Sequence, residues 1–380
     1  MWLTNVIIYY IKNSICVFSL QKTSIVFKSN DMGKIKKTNI DFWYELCYPI
    51  GMKLMNFIFE SMDLGIYIIQ ADARKKVQPC DLVVKENIQY GKDEFDNVFD
   101  VYYPENCQDK KLPTILHIHG GGYVAGSKEQ RERYCMLLAK KGYCVINMEY
   151  SNAKKIGFPG PVKDAYELFN YLEKDEDVNK HIDFDNFFLS GDSAGAHVAA
   201  LIANAQTNPE FKKELGVEGG PQIKGCLLTS PSLKMFDFKS KCLEKMFKES
   251  FLCENNTEEM VKMVDMTTNL SANFPPTIMI SAGNDFLKKH ADKFCETATE
   301  LQIPTEHYVF TSAKHLLHDF TTNYPHLKEG QFALNRFDDF IKNVMNSKLE
   351  NTVKVENVDL VHKKKQNKNE ETAEASFGLN

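Results

Sequence analysis

The chain has 380 residues, of which 43% are hydrophobic and 26% are charged, and its formal net charge is −5. This length and apolar content suffice for one large globular domain with a sizeable core, or for two smaller domains. Lys and Arg form no basic stripe along the chain, which argues against nucleic acid as a partner.

Residues 1–31 are apolar but interrupted by Lys12, Asn13 and Lys22, so no span approaches the roughly 20 residues that a membrane helix needs. The segment also lacks the basic region that precedes the apolar part of a secretory signal. Three interpretations stay open: a weak membrane-associating segment, a helix packed on the body of the protein, and an artefact of gene modelling, for which Met32 could serve as an alternative start.

Residues 32–75 are predicted to form an N-terminal helical cap. The stretch from Asp41 to Gln70 is rich in aromatic residues and methionine at helical spacing. Such a face packs on the protein core or lines a pocket, and the sequence leaves these two alternatives open.

Residues 76–349 show the pattern of an α/β domain. The runs VVKENIQYG and NVFDVYYP predict two strands of a hairpin. Apolar strands and amphipathic helices then alternate, which indicates a mostly parallel sheet with helices on both faces. Residues 234–272 break this alternation because they are rich in Met and Lys, and they are expected to form a cap insertion over the carboxyl edge of the sheet.

The C-terminal residues 350–380 are rich in Lys, Glu and Asn and contain one aromatic residue, Phe377. A segment of this composition buries too little apolar surface to offset the entropy of ordering. We therefore expect a disordered, charged tail.

The ten cysteines include no C-x-x-C pair, and several lie within apolar runs. Disulfide frameworks are typical of short secreted chains, so the cysteines predict buried free thiols in a reducing compartment. A cytoplasmic location is favoured, with membrane association through the N-terminal segment as the alternative.

The pentapeptide GDSAG, residues 191–195, lies between a predicted strand and a predicted helix. In this context the G-x-S-x-G pattern forms a sharp, strained turn that exposes the hydroxyl of Ser193. Gly191 and Gly195 leave room for the turn, and the following helix directs free N–H groups to the same point. The pattern predicts Ser193 as a nucleophile.

A serine hydroxyl needs a base, which should follow an acid in the order Ser, Asp, His. Asp285 directly follows a predicted strand and is predicted to orient the base. Two histidines, His315 and His318, follow the last predicted strand. We favour His318 because the nearby Phe320 can anchor the loop in the core, and His315 stays the alternative.

Three consecutive glycines, Gly120 to Gly122, follow an apolar strand in HIHGGGYVAGS. Cleavage of an acyl bond passes through an oxyanion, which backbone N–H donors must approach to about 3 Å. A Cβ at Gly121 or Gly122 would block that approach, so their N–H groups and that of Ala194 are predicted to form an oxyanion hole. No Lys-Ser or Lys-Thr pair completes a phosphate-binding loop here.

The segments HGGGYVAGS, GDSAG, SAGNDFL and HDF together resemble the hormone-sensitive-lipase-like family of α/β-hydrolases, over about residues 87–345. The resemblance implies an α/β-hydrolase fold with a helical cap. It also implies a carboxylesterase in which Ser193, Asp285 and His318 act together, while His119 and Gly120 support the oxyanion loop.

The chain departs from the family pattern at two of these segments. Asp285 is followed by Phe286 where the family commonly has Pro, and Asp319 follows His318 where the family usually has Gly. By simple spacing from Asp285, the histidine of the family would fall near His315.

These features predict a serine hydrolase that cleaves small-molecule carboxylic esters with short- to medium-chain acyl groups through an acyl-enzyme. The chemistry requires no metal ion and no organic cofactor. Two alternatives stay open: an amidase of the aryl formamidase type, which uses the same three side chains, and a non-catalytic ligand-binding protein on the same fold.

Overall fold

The structure is a computed structural model of the chain, which divides into two units, Met1–Ile58 and Phe59–Asn380. In the first unit the described residues are two strands, β1 (Val17–Leu20) and β2 (Thr23–Val26), which pair antiparallel. In the second unit the structure describes most of the chain between residues 68 and 360, namely 68, 70–107, 110–234, 248, 251–252, 257–311, 316 and 318–360.

The second unit is built on a nine-stranded sheet with the order β11-β10-β9-β8-β7-β5-β6-β4-β3. Its strands are β3 (Leu82–Gln89), β4 (Val98–Pro104), β5 (Leu112–Ile118), β6 (Cys144–Met148), β7 (Ile182–Asp192), β8 (Ile223–Thr229), β9 (Thr277–Ala282), β10 (Thr305–Phe310) and β11 (Val353–Val358). β3 and β4 form the predicted antiparallel hairpin, and β4 is also antiparallel to β6. The remaining pairs are parallel, which confirms the predicted mostly parallel sheet.

Helices cover both faces of this sheet. The described helices of the second unit are α1 (Ala71–Lys76), α2 (Glu132–Ala139), α3 (Ala153–Ile156), α4 (Gly160–Lys174), α5 (Glu176–Asn179), α6 (Ala194–Thr207), α7 (Pro209–Leu215), α8 (Glu258–Met263), α9 (Lys288–Glu300), α10 (Phe320–Asn323) and α11 (Lys328–Met345). One core cluster holds side chains of α4, α6 and α9, and a second holds side chains of α2 and α11. Because both faces of the central strands are covered, these strands read as continuous apolar runs in the sequence.

The predicted tail from residue 350 is wrong for Val353–Val358, which forms β11 at the edge of the sheet. This strand pairs parallel with β10, and Val358 is buried in the core cluster that also contains α2 and α11. The strand was not predicted because residues 350–380 as a whole have a polar, charged composition, although the short strand has a valine at each end. The open edge of β10 supplies the hydrogen-bonding partners that a strand requires. Residues 361–380 lie outside the described residues.

Two further predicted regions fall partly outside the described residues. Of the predicted cap at 32–75, the structure describes residue 68 and residues 70–75, which include most of α1. Of the predicted insertion at 234–272, it describes 234, 248, 251–252 and 257–272, including α8. This insertion lies between β8 and β9, and its Phe251 packs on Tyr123 with a ring-centroid distance of 4.4 Å.

The cysteines of the described residues are free thiols, and Cys135, Cys144, Cys226 and Cys295 are buried. This agrees with the predicted state of the thiols. Within the same part of the chain, no helix is both long enough and apolar enough to cross a membrane.

Candidate active site

Ser193 occupies the single residue between the end of β7 and the start of α6. Its backbone angles, φ 51° and ψ −117°, lie in a region that side-chain-bearing residues rarely adopt. The turn is fixed by hydrogen bonds from Ser193 N to Thr229 O (3.0 Å) and from Ser232 N to Ser193 O (3.1 Å). A Cβ at Gly195 would lie 2.1 Å from Ile118 O, so only glycine fits where α6 meets the end of β5.

The predicted serine, histidine and aspartate form one chain of hydrogen bonds. Nε2 of His318 lies 2.9 Å from Ser193 Oγ, and its Nδ1 lies 3.1 and 3.0 Å from the two carboxylate oxygens of Asp285. Asp285 also accepts a hydrogen bond from Leu287 N at 2.9 Å. Burial opposes the charge of Asp285, but the hydrogen bond and charge of His318, together with hydrogen bonds from Ser230 and Leu287, outweigh burial and lower the pKa of the carboxyl. The arrangement can move a proton from the serine to the imidazole.

Phe320, two residues after His318, was predicted from the sequence to anchor the His318 loop in the core. Phe320 is completely buried and packs edge-to-face on Phe310, with ring centroids 5.0 Å apart. The alternative histidine, His315, lies outside the described residues.

The glycine loop lies against the serine turn. A Cβ at Gly120 would lie 2.5 Å from Asp192 Oδ2 and 3.1 Å from Ser193 Cβ. Gly121 and Gly122 have φ values of 143° and 61°. A Cβ at Gly121 would lie 1.7 Å from Ala125 O, within its own turn. The turn itself therefore requires glycine at position 121. This reason is separate from the close approach of an oxyanion, which was the reason inferred from the sequence.

Ala194 is the first residue of α6, where backbone N–H groups have no acceptor within the helix. This N–H lies next to the predicted nucleophile in the chain, at the positive end of the helix dipole. The position is suitable for stabilising negative charge close to Ser193.

His119 contacts the glycine loop and links it to Glu149. Its Nδ1 contacts Gly120 O at 2.8 Å, its Nε2 contacts Glu149 Oε1 at 2.9 Å, and its ring stacks on Tyr150. Burial opposes protonation of His119, but the charge and hydrogen bond of Glu149 raise its pKa. The hydroxyl of Tyr150 donates to His119 O at 2.9 Å, which fixes the backbone just before the glycines.

A buried ion pair behind the serine was not predicted from the sequence. Arg131 donates from Nε and a terminal nitrogen to the two oxygens of Asp192, at 2.9 and 2.6 Å. Burial opposes the charge of Asp192, but Arg131 holds the pKa of its carboxyl well below the usual range. Arg131 lies between a 3-10 turn (Lys128–Gln130) and the start of α2.

Asp319 is the second feature that the sequence did not identify as functional. Its Oδ2 lies 3.1 Å from Nε2 of His318, the nitrogen that also faces Ser193. The signal was present in the sequence as the departure from the His-Gly pattern. Composition and spacing could not show that this carboxylate turns inward.

The sheet, with a serine at a strand-to-helix turn and a histidine and aspartate on later loops, defines an α/β hydrolase. A family model described as alpha/beta hydrolase fold matches residues 115–319. The match covers more than half of the chain, and the chain belongs to this family, on its carboxylesterase-like side. This confirms the resemblance that the HGGG and GDSAG segments indicate.

Relatives with curated descriptions share a large part of the chain. An alpha/beta hydrolase of Acanthamoeba polyphaga mimivirus is 26% identical over 235 residues, which are 59% of this chain and 65% of the viral protein. An esterase of Fusarium pseudograminearum is 27% identical over 234 residues, 57% of this chain and 70% of the fungal protein. The chain thus spans about two thirds of the length of these relatives.

A solved structure shows the same fold. Esterase B from Lactobacillus rhamnosis, determined with a tributyrin phosphonate inhibitor, superimposes with a TM-score of 0.69 at 18% identity, covering 78% of this chain and 96% of that chain.

Proposed function

We propose that this protein is a serine hydrolase that cleaves carboxylic esters with short- to medium-chain acyl groups. The observation that carries the proposal is the 2.9 Å contact between Ser193 Oγ and His318 Nε2, with Asp285 on the opposite nitrogen. Membership of a carboxylesterase-like family and the esterase of Fusarium pseudograminearum support the same reaction class.

In the proposed mechanism, Ser193 Oγ attacks the ester carbonyl while His318 Nε2 takes its proton. Asp285 accepts a hydrogen bond from Nδ1–H and stabilises the imidazolium that forms. Collapse of the tetrahedral intermediate breaks the ester bond, and Nε2–H protonates the departing alkoxide. Water, deprotonated by the same nitrogen, then releases the acid from the acyl-enzyme.

We assign the stabilisation of the negative charge on the tetrahedral intermediate to hydrogen bonds from the N–H groups of Gly121, Gly122 and Ala194. Loss of one such donor typically lowers the rate by a factor of about 100 to 1000. The brace from His119 to Glu149 keeps the loop in place before substrate arrives, so that the donors need no reorganisation during the reaction.

Hydrolysis of p-nitrophenyl acetate and butyrate by the full chain tests this proposal. Ser193→Ala should lower turnover by at least about a thousandfold, because no other group supplies the attacking oxygen. Ser271→Ala is the matched control, since Ser271 Oγ bonds Thr207 O at the far end of α6. Turnover by purified Ser193→Ala at the wild-type rate would contradict the assignment.

The two alternatives are separated by parallel measurements. N-formylkynurenine in place of the ester tests the aryl formamidase alternative, since the same three side chains attack activated amides. A fluorophosphonate probe tests a binding-only protein, because only an activated serine reacts. The short contact between Ser193 and His318 favours an activated serine.

A further inference from the structure

Nε2 of His318 has two oxygen neighbours rather than one. Ser193 Oγ lies at 2.9 Å, and Oδ2 of Asp319 lies at 3.1 Å. Nδ1 on the other side of the ring is occupied by Asp285. A ring nitrogen carries either one proton or one lone pair, so it can engage only one of these neighbours as a donor or an acceptor at a time.

The charged groups that face Asp319 come from four positions: Asp192 at the end of β7, Arg131 before α2, Asp285 after β9, and His318 itself. Arg131 is engaged by both oxygens of Asp192, so its charge is already matched. The imidazole of His318 is left to balance both Asp285 and Asp319. A neutral imidazole leaves the charges of these two buried carboxylates uncompensated, which favours one additional proton at this position.

The surroundings of Asp319 favour this proton. Its side chain is 8% exposed, and Oδ1 is buried with no hydrogen-bond partner among the described residues. Burial raises the pKa of the Asp319 carboxyl, and Asp192 adds to the rise, while His318 and Arg131 oppose it. Burial opposes protonation of His318, but Asp319 and then Asp285 outweigh it and raise the pKa of the imidazole.

We propose that Asp319 and His318 share a proton on the line between Oδ2 and Nε2, and that this proton must leave before the imidazole can accept one from Ser193. This inference rests on the proposed function. Either the proton is on Nε2, as an imidazolium bound to a carboxylate, or it is on Oδ2, as a carboxylic acid that donates to Nε2. The Nε2 lone pair is unavailable in both forms, and loss of the proton to hydroxide or buffer restores it.

The sign of the pH effect follows directly. Since the shared site holds its proton to higher pH than a free imidazole, Ser193 is unreactive below that range and becomes reactive as the pH rises through it. Asp319 therefore moves the pH range in which the enzyme is active toward alkaline pH. The glycine that the family usually has at this position carries no carboxylate and would not cause this shift.

The test is the rate constant of labelling by a fluorophosphonate probe between pH 5 and 10 for the full chain, Asp319→Asn and Asp319→Gly. The backbone at Asp319 is left-handed, with φ 56° and ψ 31°, a conformation that Asn and Gly both tolerate. In both variants the midpoint of the rising limb should move down by at least about one pH unit, so that labelling near pH 6.5 becomes roughly tenfold faster. Asp164→Asn is the control, because Asp164 is also buried but accepts from Ser151 N, and its midpoint should not move.

Unchanged midpoints in both Asp319 variants, with only the amplitude altered, would show a structural role and overturn the proposal. A wild-type chain that labels at no pH would instead contradict the proposed function. In that case the Cε1–H proton resonance of His318 still decides the matter. A titration midpoint of His318 that is lower in Asp319→Asn than in the wild-type chain supports the shared proton. The same midpoint in the wild-type chain and in Asp319→Asn rejects the shared proton.

Discussion

At the scale of single residues, the chemistry of the candidate site depends on the hydrogen-bond partner of each polar side-chain atom. Three side chains named from sequence order lie in one hydrogen-bonded series, Ser193 to His318 to Asp285. The sequence could predict this series because chain order and strand ends restrict where an acid and a base can be. It could not predict that Asp319 reaches Nε2, or that Arg131 reaches Asp192, since those contacts depend on side-chain directions within buried loops.

Phe286 is the residue for which a specificity role is most directly testable. Its ring is 65% exposed and lies 4.8 Å from the imidazole of His318, measured between centroids. Because His318 delivers the proton to the leaving oxygen in the proposed mechanism, the alcohol portion of an ester should lie beside this ring. Phe286→Ala should lower kcat/KM for phenyl acetate about three- to tenfold more than for ethyl acetate, through lost apolar contact.

The comparison uses acid release as the readout, so both esters are followed in the same way. Phe95→Ala is the control for an exposed phenylalanine elsewhere on the surface, since Phe95 is 81% exposed in the turn between β3 and β4. An equal loss for both esters in Phe286→Ala would reject contact with the alcohol portion.

At the scale of secondary-structure elements, the sequence predicted most strands and helices of the α/β domain but missed β11. The central strands were predictable because burial on both faces makes them continuous apolar runs. β11 has the burial pattern of an edge strand, with Val355 exposed and Val358 buried. A short strand of this kind inside a Lys- and Asn-rich segment has too weak a local signal, and its pairing with β10 provides the missing stabilisation.

The two valines make β11 testable by unfolding in urea. Val358→Ala should lower the free energy of unfolding by about 1–3 kcal/mol, because it leaves a cavity in the second core cluster. Val355→Ala, on the same strand but facing solvent, should cost less than about 0.5 kcal/mol. Equally small effects for both substitutions would indicate that this segment does not pack on the sheet.

At the scale of the whole molecule, the site exists because several loops leave the same edge of one sheet. The glycine loop follows β5, Ser193 follows β7, Asp285 follows β9 and His318 follows β10. Parallel strands bring their carboxyl ends together, so residues far apart in the chain meet above that edge. The sequence predicted this convergence from the GDSAG motif, the order Ser, Asp, His, and the positions of these residues after predicted strands.

In the proposed mechanism His318 activates Ser193, and mass spectrometry of the fluorophosphonate adduct measures this activation at the residue itself. We predict one adduct, on the peptide that contains Ser193, and a labelling rate at least about a hundredfold lower in His318→Gln, because the base is lost. An adduct on a different serine would rule out Ser193 as the nucleophile, and an undiminished rate on Ser193 in His318→Gln would rule out His318 as its base.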